Sequence, residues 1–118
     1  MADVTIYHNP SCSTSKTVLG MAQDAGVDAE VVQYLKTPPS RERLTWLVDH
    51  LDGPVADLVR KDPFFKELGL DAADYTEPAA VVDLLVEHPR LMQRPLLVKG
   101  DRVVIGRPKE RATELFDS

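Results

Sequence analysis

Cys12 is the only cysteine in the 118-residue chain, and it lies in a run of small polar residues, His8-Asn9-Pro10-Ser11-Cys12-Ser13-Thr14-Ser15-Lys16. The run follows a β-prone stretch and precedes a helical pattern, so the thiol is expected at a helix start. Unpaired backbone N–H groups and the positive end of the helix dipole favour a thiolate there, taking a cysteine pKa from about 8.5 to roughly 3.5–7.5. The same N–H groups cradle anions, so a tetrahedral oxyanion could sit beside the sulfur that attacks it. Ser13, Thr14 and Ser15 offer hydroxyl donors, and His8 offers a proton or a positive charge. A lone cysteine is more often a small buried hydrophobe; the polar neighbourhood tips the reading toward a nucleophile. For His8, a role as hydrogen-bonded spacer is as good a reading as catalysis.

Spacing excludes two thiol chemistries. A phosphatase-like cysteine loop needs an arginine six positions after the cysteine, where Val18 stands, and a redox C-x-x-C pair needs a second thiol where Ser15 stands. With no internal disulfide available, a reaction that oxidises Cys12 must draw its reducing thiol from another molecule.

The elements that would position the thiol follow from pattern. Val4-Thr5-Ile6-Tyr7 reads as a strand, Val18, Leu19, Met21 and Ala22 as one face of a helix closed by Gly26, and Glu30 to Leu35 as a second strand. This βαβ unit should cross over right-handed. Ser40 is the expected N-cap of a helix carrying Leu44, Leu47, Val48 and Leu51, and Gly53-Pro54 ends it. From Val55 to about Arg90 no strand is expected: Pro63 opens a short helical segment stopped at Gly69, and Thr76 caps a helix through Val81, Val82, Leu84, Leu85 and Val86. Pro95 to Lys99 and Arg102 to Ile105 flank Gly100-Asp101 as a tight hairpin, and a short helix ends near Phe116. The order βαβ, helices, ββα is the plan of a thioredoxin-like domain, a small mixed sheet with a helical insertion at about residues 40–90 after its second strand. One domain over residues 1–118 is the expectation.

Hydrophobic content of 43% suits one buried core, and a net charge of −5 argues against general affinity for nucleic acid or anionic membranes. Any anion site must be built locally. The start lacks a basic segment followed by a long apolar one, and no apolar run approaches the ~18 residues of a membrane span. An unexported, cytoplasmic monomer without resident metal or cofactor is expected.

The chemistry-bearing residues resemble those of the glutaredoxin-coupled arsenate reductases, the ArsC family. Ile6 to Lys16 is similar to that family's active-site loop. The likeness continues through Tyr34-Leu35-Lys36-Thr37-Pro38-Pro39-Ser40, Leu58-Val59-Arg60-Lys61, His88-Pro89, Arg94-Pro95 and Gly106-Arg107-Pro108. It implies a glutaredoxin-like fold in which Cys12 attacks arsenate, an external thiol such as glutathione reduces the adduct, and a glutaredoxin-like redoxin restores the enzyme as arsenite leaves. It further implies that Arg60, Arg94 and Arg107 bind the oxyanion, that His8 assists thiolate formation, and that Pro95 is the cis-proline facing the thiol.

The physics agrees on the arginines, because guanidinium forks pair bidentately with tetrahedral oxyanions and stay charged. Alone, each would be read as a solvated surface residue. Arg94 and Arg107, however, fall at ends of expected strands, where side chains can turn toward the loop; for Arg60, neighbouring Lys61 is a rival. Lys16 stands where the resistance enzymes often carry arginine, and Ile105-Gly106-Arg107-Pro108 is more similar to the shorter arsenate-reductase-like relatives. Two other functions stay open, a thiol-transferase that resolves mixed disulfides and a regulator that binds RNA polymerase. Relatives of the latter kind commonly carry the C-x-x-C pair that Ser15 interrupts.

Overall fold

A computed structural model describes residues 3–116. The chain divides into two compact units, residues 1–37 with 94–118, and residues 38–93.

The first unit holds the sheet. Strand β1 (Val4–His8) leads into helix α1 (Ser13–Asp24), which leads into strand β2 (Ala29–Gln33). β1 and β2 are parallel, with Ile6 opposite Val31. Strands β3 (Leu96–Lys99) and β4 (Arg102–Ile105) form an antiparallel hairpin, and β3 pairs antiparallel with β1, giving the order β2-β1-β3-β4. This is the small mixed sheet of a thioredoxin-like domain. Gly26 ends α1 at φ +71°, a left-handed conformation that glycine adopts without a Cβ penalty. Gly100 turns the hairpin at φ +61°, as the first position of its two-residue turn requires.

Alternation along β1 sends Val4 and Ile6 to the face where Val18 and Ala22 of α1 pack. Leu97, Val104, Ala112 and Leu115 complete that core. The chain closes with a 3-10 turn (Lys109–Ala112) and helix α5 (Thr113–Phe116), which Lys99 Nζ tethers by donating to the Leu115 carbonyl at 3.2 Å. Strand β2 covers 29–33 rather than 30–35, because the backbone turns after Gln33: the N–H groups of Lys36 and Thr37 both return to the Gln33 carbonyl.

The second unit is built on helices α2 (Arg41–Asp49), α3 (Pro63–Glu67) and α4 (Pro78–Glu87). Ser40 caps α2, its hydroxyl accepting from the Arg43 N–H at 3.1 Å. Asp62 caps α3 in the same way through the Phe65 N–H. α2 and α4 bury Leu44, Leu47 and Val48 against Val81, Val82, Leu84 and Leu85. One expectation needs correction here. Glu77, not Thr76, is the N-cap position of α4, and no side-chain cap forms there; Pro78 starts the helix, where its missing N–H costs nothing. The stretch also contains an extended pairing: Val59 and Met92 form an antiparallel bridge, with Arg60 N–H donating to the Leu91 carbonyl and Gln93 N–H to the Leu58 carbonyl, both at 2.7 Å. One bridge leaves no alternating pattern for a sequence reading to find.

Candidate active site

β1 delivers His8 to the end of the sheet, and residues 9–12 turn the chain into α1. Asn9 organises that turn. Its side-chain oxygen accepts from the Ser11 N–H at 2.9 Å, its carbonyl accepts from the Cys12 N–H at 3.0 Å, and its own N–H donates to Ser15 Oγ at 3.1 Å. An asparagine before a proline commonly builds such a turn, yet in sequence the pair reads only as a breaker.

Cys12 occupies the N-cap position of α1 with extended backbone, and only 9% of its surface is exposed. Burial raises the thiol pKa. The Ser15 backbone N–H, a hydrogen bond from the Arg94 side chain and the charges of Arg107 and Arg94 outweigh it, so the net shift is downward. The Ser15 N–H faces the sulfur without closing a full capping bond. Arg107 makes the direct contact: its Nη2 donates to Cys12 Sγ at 3.0 Å while its Nε donates to the Arg94 carbonyl at 2.6 Å. Two cations thus stand at a buried sulfur at a helix start, a setting that favours thiolate.

The cis peptide bond Arg94–Pro95 lies beside this pair, and Arg107–Pro108 is cis as well. Gly106 lets the two arginine-bearing segments approach. A Cβ on it would lie 2.9 Å from Pro95 Cγ and 3.0 Å from Leu97 Cδ1, and its N–H donates to the Pro95 carbonyl at 2.9 Å. Read in sequence, Gly106 is part of a motif without a role of its own; the need for a missing side chain is visible only in three dimensions.

The remaining expected site residues fall in different settings. Ser13 is exposed and Thr14 half-buried in the first turn of α1. Ser15 is fully buried, and its hydroxyl faces His8 Nδ1 at 2.6 Å as well as Asn9; the group it presents to the thiol is its backbone N–H. His8 is buried too, and burial followed by the charge of Lys16 lowers its pKa. The neutral ring is therefore favoured over the positive charge, which leaves proton transfer as the role open to His8. Arg60 belongs to the second unit, where its Nη1 donates to Gln93 Oε1 at 3.1 Å and its Nε to Asp62 Oδ2 at 3.4 Å. Among the described residues no cluster of three or more histidine, cysteine, aspartate or glutamate side chains could hold a metal ion, and no helix is long and apolar enough to cross a membrane.

A lone cysteine whose pKa two arginines help to lower, on a thioredoxin-like sheet, defines a thiol-based site suited to an oxyanion. Residues 7–115 match the sequence profile of the ArsC family, and the chain belongs to that family. It is 36% identical to the arsenate reductase of Escherichia coli (strain K12) over 118 residues, covering 98% of this chain and 82% of the relative. It is 39% identical over 114 residues to a protein of the same organism named only as uncharacterized protein YfgD, covering 95% of each. Among solved structures, an arsenate reductase from Vibrio cholerae superposes with a TM-score of 0.84 at 36% identity, covering 97% of this chain and 98% of its own.

Proposed function

We propose that the chain is a thiol-dependent arsenate reductase that uses Cys12 as its single nucleophile. The observation that carries this reading is the Arg107 Nη2 contact to Cys12 Sγ at 3.0 Å, with Arg94 bonded to the same sulfur. Arginines that stabilise the thiolate are also placed to take an incoming oxyanion by bidentate hydrogen bonds.

The thiolate attacks arsenic, forming an S–As bond as one arsenate oxygen takes up a proton and leaves as water; arsenic remains As(V). A small thiol such as glutathione then attacks the Cys12 sulfur. A mixed disulfide forms, the S–As electron pair passes to arsenic, and arsenite leaves as As(III). With Ser15 in place of a resolving cysteine, a second thiol, from a glutaredoxin-like redoxin, must remove the glutathione and return the Cys12 thiolate. Ser13 and Thr14 add donors at the helix start, and Arg60 joins the oxyanion-binding set on the strength of the family likeness. A cytoplasmic monomer suits these needs, since the cytosol supplies reducing thiols.

The test is arsenite production from arsenate with glutathione and a glutaredoxin present, for the parent protein and for Cys12→Ser. The parent is expected to turn over only with both thiol sources, and the variant to fall to background. Sustained reduction by Cys12→Ser, or brisk disulfide exchange by the parent with no arsenite formed, overturns the proposal.

A further inference from the structure

The buried hydroxyl of Ser15 has no place in the steps above. It lies between the last residue of β1 and the turn that carries the nucleophile, with His8 Nδ1 at 2.6 Å and the Asn9 N–H donating to it at 3.1 Å. Ser15 has no exposed surface, and His8 and Asn9 are 5% and 6% exposed. Placing three polar groups out of water is costly unless each is hydrogen-bonded, so their joint burial implies a fixed arrangement. Because Ser15 is also the residue whose backbone N–H faces the Cys12 sulfur, its hydroxyl ties the start of α1, and with it that N–H, to the end of β1.

We infer that Ser15 is a positioning residue for Cys12: its hydroxyl donates to the unprotonated Nδ1 of a neutral His8 and accepts from Asn9, holding the start of α1 so that the sulfur remains a thiolate. The inference rests on Cys12 as the nucleophile of the proposed function, though not on arsenate as its substrate.

The ring geometry is consistent with one proton inventory. A serine oxygen that accepts from the Asn9 N–H still has its own proton to give, and Nδ1 is in reach to take it, leaving the histidine proton on Nε2. The charged and titratable groups acting on the pair agree. Lys16 of α1 opposes a proton on His8, while Arg94 before β3 and Arg107 after β4 favour charge on Cys12.

The experiment titrates Cys12 by thiolate absorbance and iodoacetamide alkylation in the parent, Ser15→Ala and Ser15→Thr, with ¹⁵N NMR of the histidines in the parent. No arsenate is present, so the outcome is independent of whether arsenate is the substrate. At pH 6, Ser15→Ala is expected to alkylate about tenfold more slowly, as expected when a thiolate loses roughly one hydrogen bond's worth of support, and Ser15→Thr is expected to recover most of the rate. The NMR spectrum of the parent is expected to show His8 with its proton on Nε2. A folded Ser15→Ala protein with unchanged alkylation overturns the inference. So does a His8 proton on Nδ1 at neutral pH in the parent, a result that stands even where Ser15→Ala fails to fold.

Discussion

Residues 38–93 bury Leu44, Leu47, Val48, Leu58, Phe65, Leu85 and their neighbours, and among the described residues they bury no hydrogen-bonding polar side chain of the kind found around Cys12. The other unit buries valines, leucines and isoleucines as well, but also His8, Asn9 and Ser15, three polar residues within eight positions of one another. Polar interactions in the helical unit lie in the Ser40 and Asp62 caps, the exposed Arg41–Asp83 pair and the half-buried contacts of Arg60 with Gln93 and Asp62. The contrast separates two uses of burial. Apolar burial stabilises with little demand on direction, whereas buried polar groups stabilise only when each finds its partner, and so they specify a geometry. In this chain that geometry surrounds the thiol.

The largest effect that should sharpen the contrast is a cavity in the apolar unit. Leu47 is fully buried, and Leu47→Ala is expected to lower unfolding stability by about 2–5 kcal/mol. Urea unfolding should report the loss, while the pH midpoint of Cys12 alkylation should not move. A moved midpoint would break the separation of roles. Next comes Gly106→Ala, whose added methyl must displace the Pro95 ring or Leu97; overpacking of this kind costs about 1–3 kcal/mol. Unlike the Leu47 variant, it should also slow alkylation, because the segment it shifts carries Arg107.

Arg107→Ala acts on chemistry more than on stability. Removing a cation and a hydrogen-bond donor from the sulfur raises the Cys12 pKa, so at pH 6 the alkylation rate is expected to fall about tenfold and to recover at alkaline pH. The sign carries over to folding. A thiol whose folded pKa is lowered adds stability that is fully present above its unfolded pKa and lost as pH falls through the folded one. The variant should therefore lose stability at alkaline pH and match the parent at acid pH. Equal losses at both would show that Arg107 acts by packing alone.

Much of this architecture can be read from residue order. Short β-prone apolar runs mark β1, β3 and β4, three-four spacing marks α2 and α4, and Ser40 marks its own helix start. The thiol at the start of α1 is legible because small polar residues interrupt two apolar patterns at one place. What escapes a reading in one dimension depends on partners distant in sequence. The Val59–Met92 bridge spans a helical stretch, and Gly106 matters because of Pro95 and Leu97. For His8, residue type leaves a proton, a charge or a spacer role open; burial and Lys16 favour the neutral ring, and burial is not a property of a residue's name.

The smallest effect belongs to the rim of the helical unit. Arg41 Nη1 lies 2.5 Å from Asp83 Oδ1, linking α2 to α4 with a short contact. Both side chains are more than half exposed, at 58% and 66%. Water and salt screen such a pair, and two long side chains lose freedom in forming it, so its worth is about 0–1 kcal/mol despite the short distance. Arg41→Ala should shift the urea midpoint slightly, and less still in 1 M salt, where the screening length is about 3 Å. A double-mutant cycle with Asp83→Ala isolates the pair from the other effects of each change. A coupling well above 1 kcal/mol would mean that the second unit, too, depends on a directional polar contact, and the division between apolar stability and polar geometry would have to be redrawn.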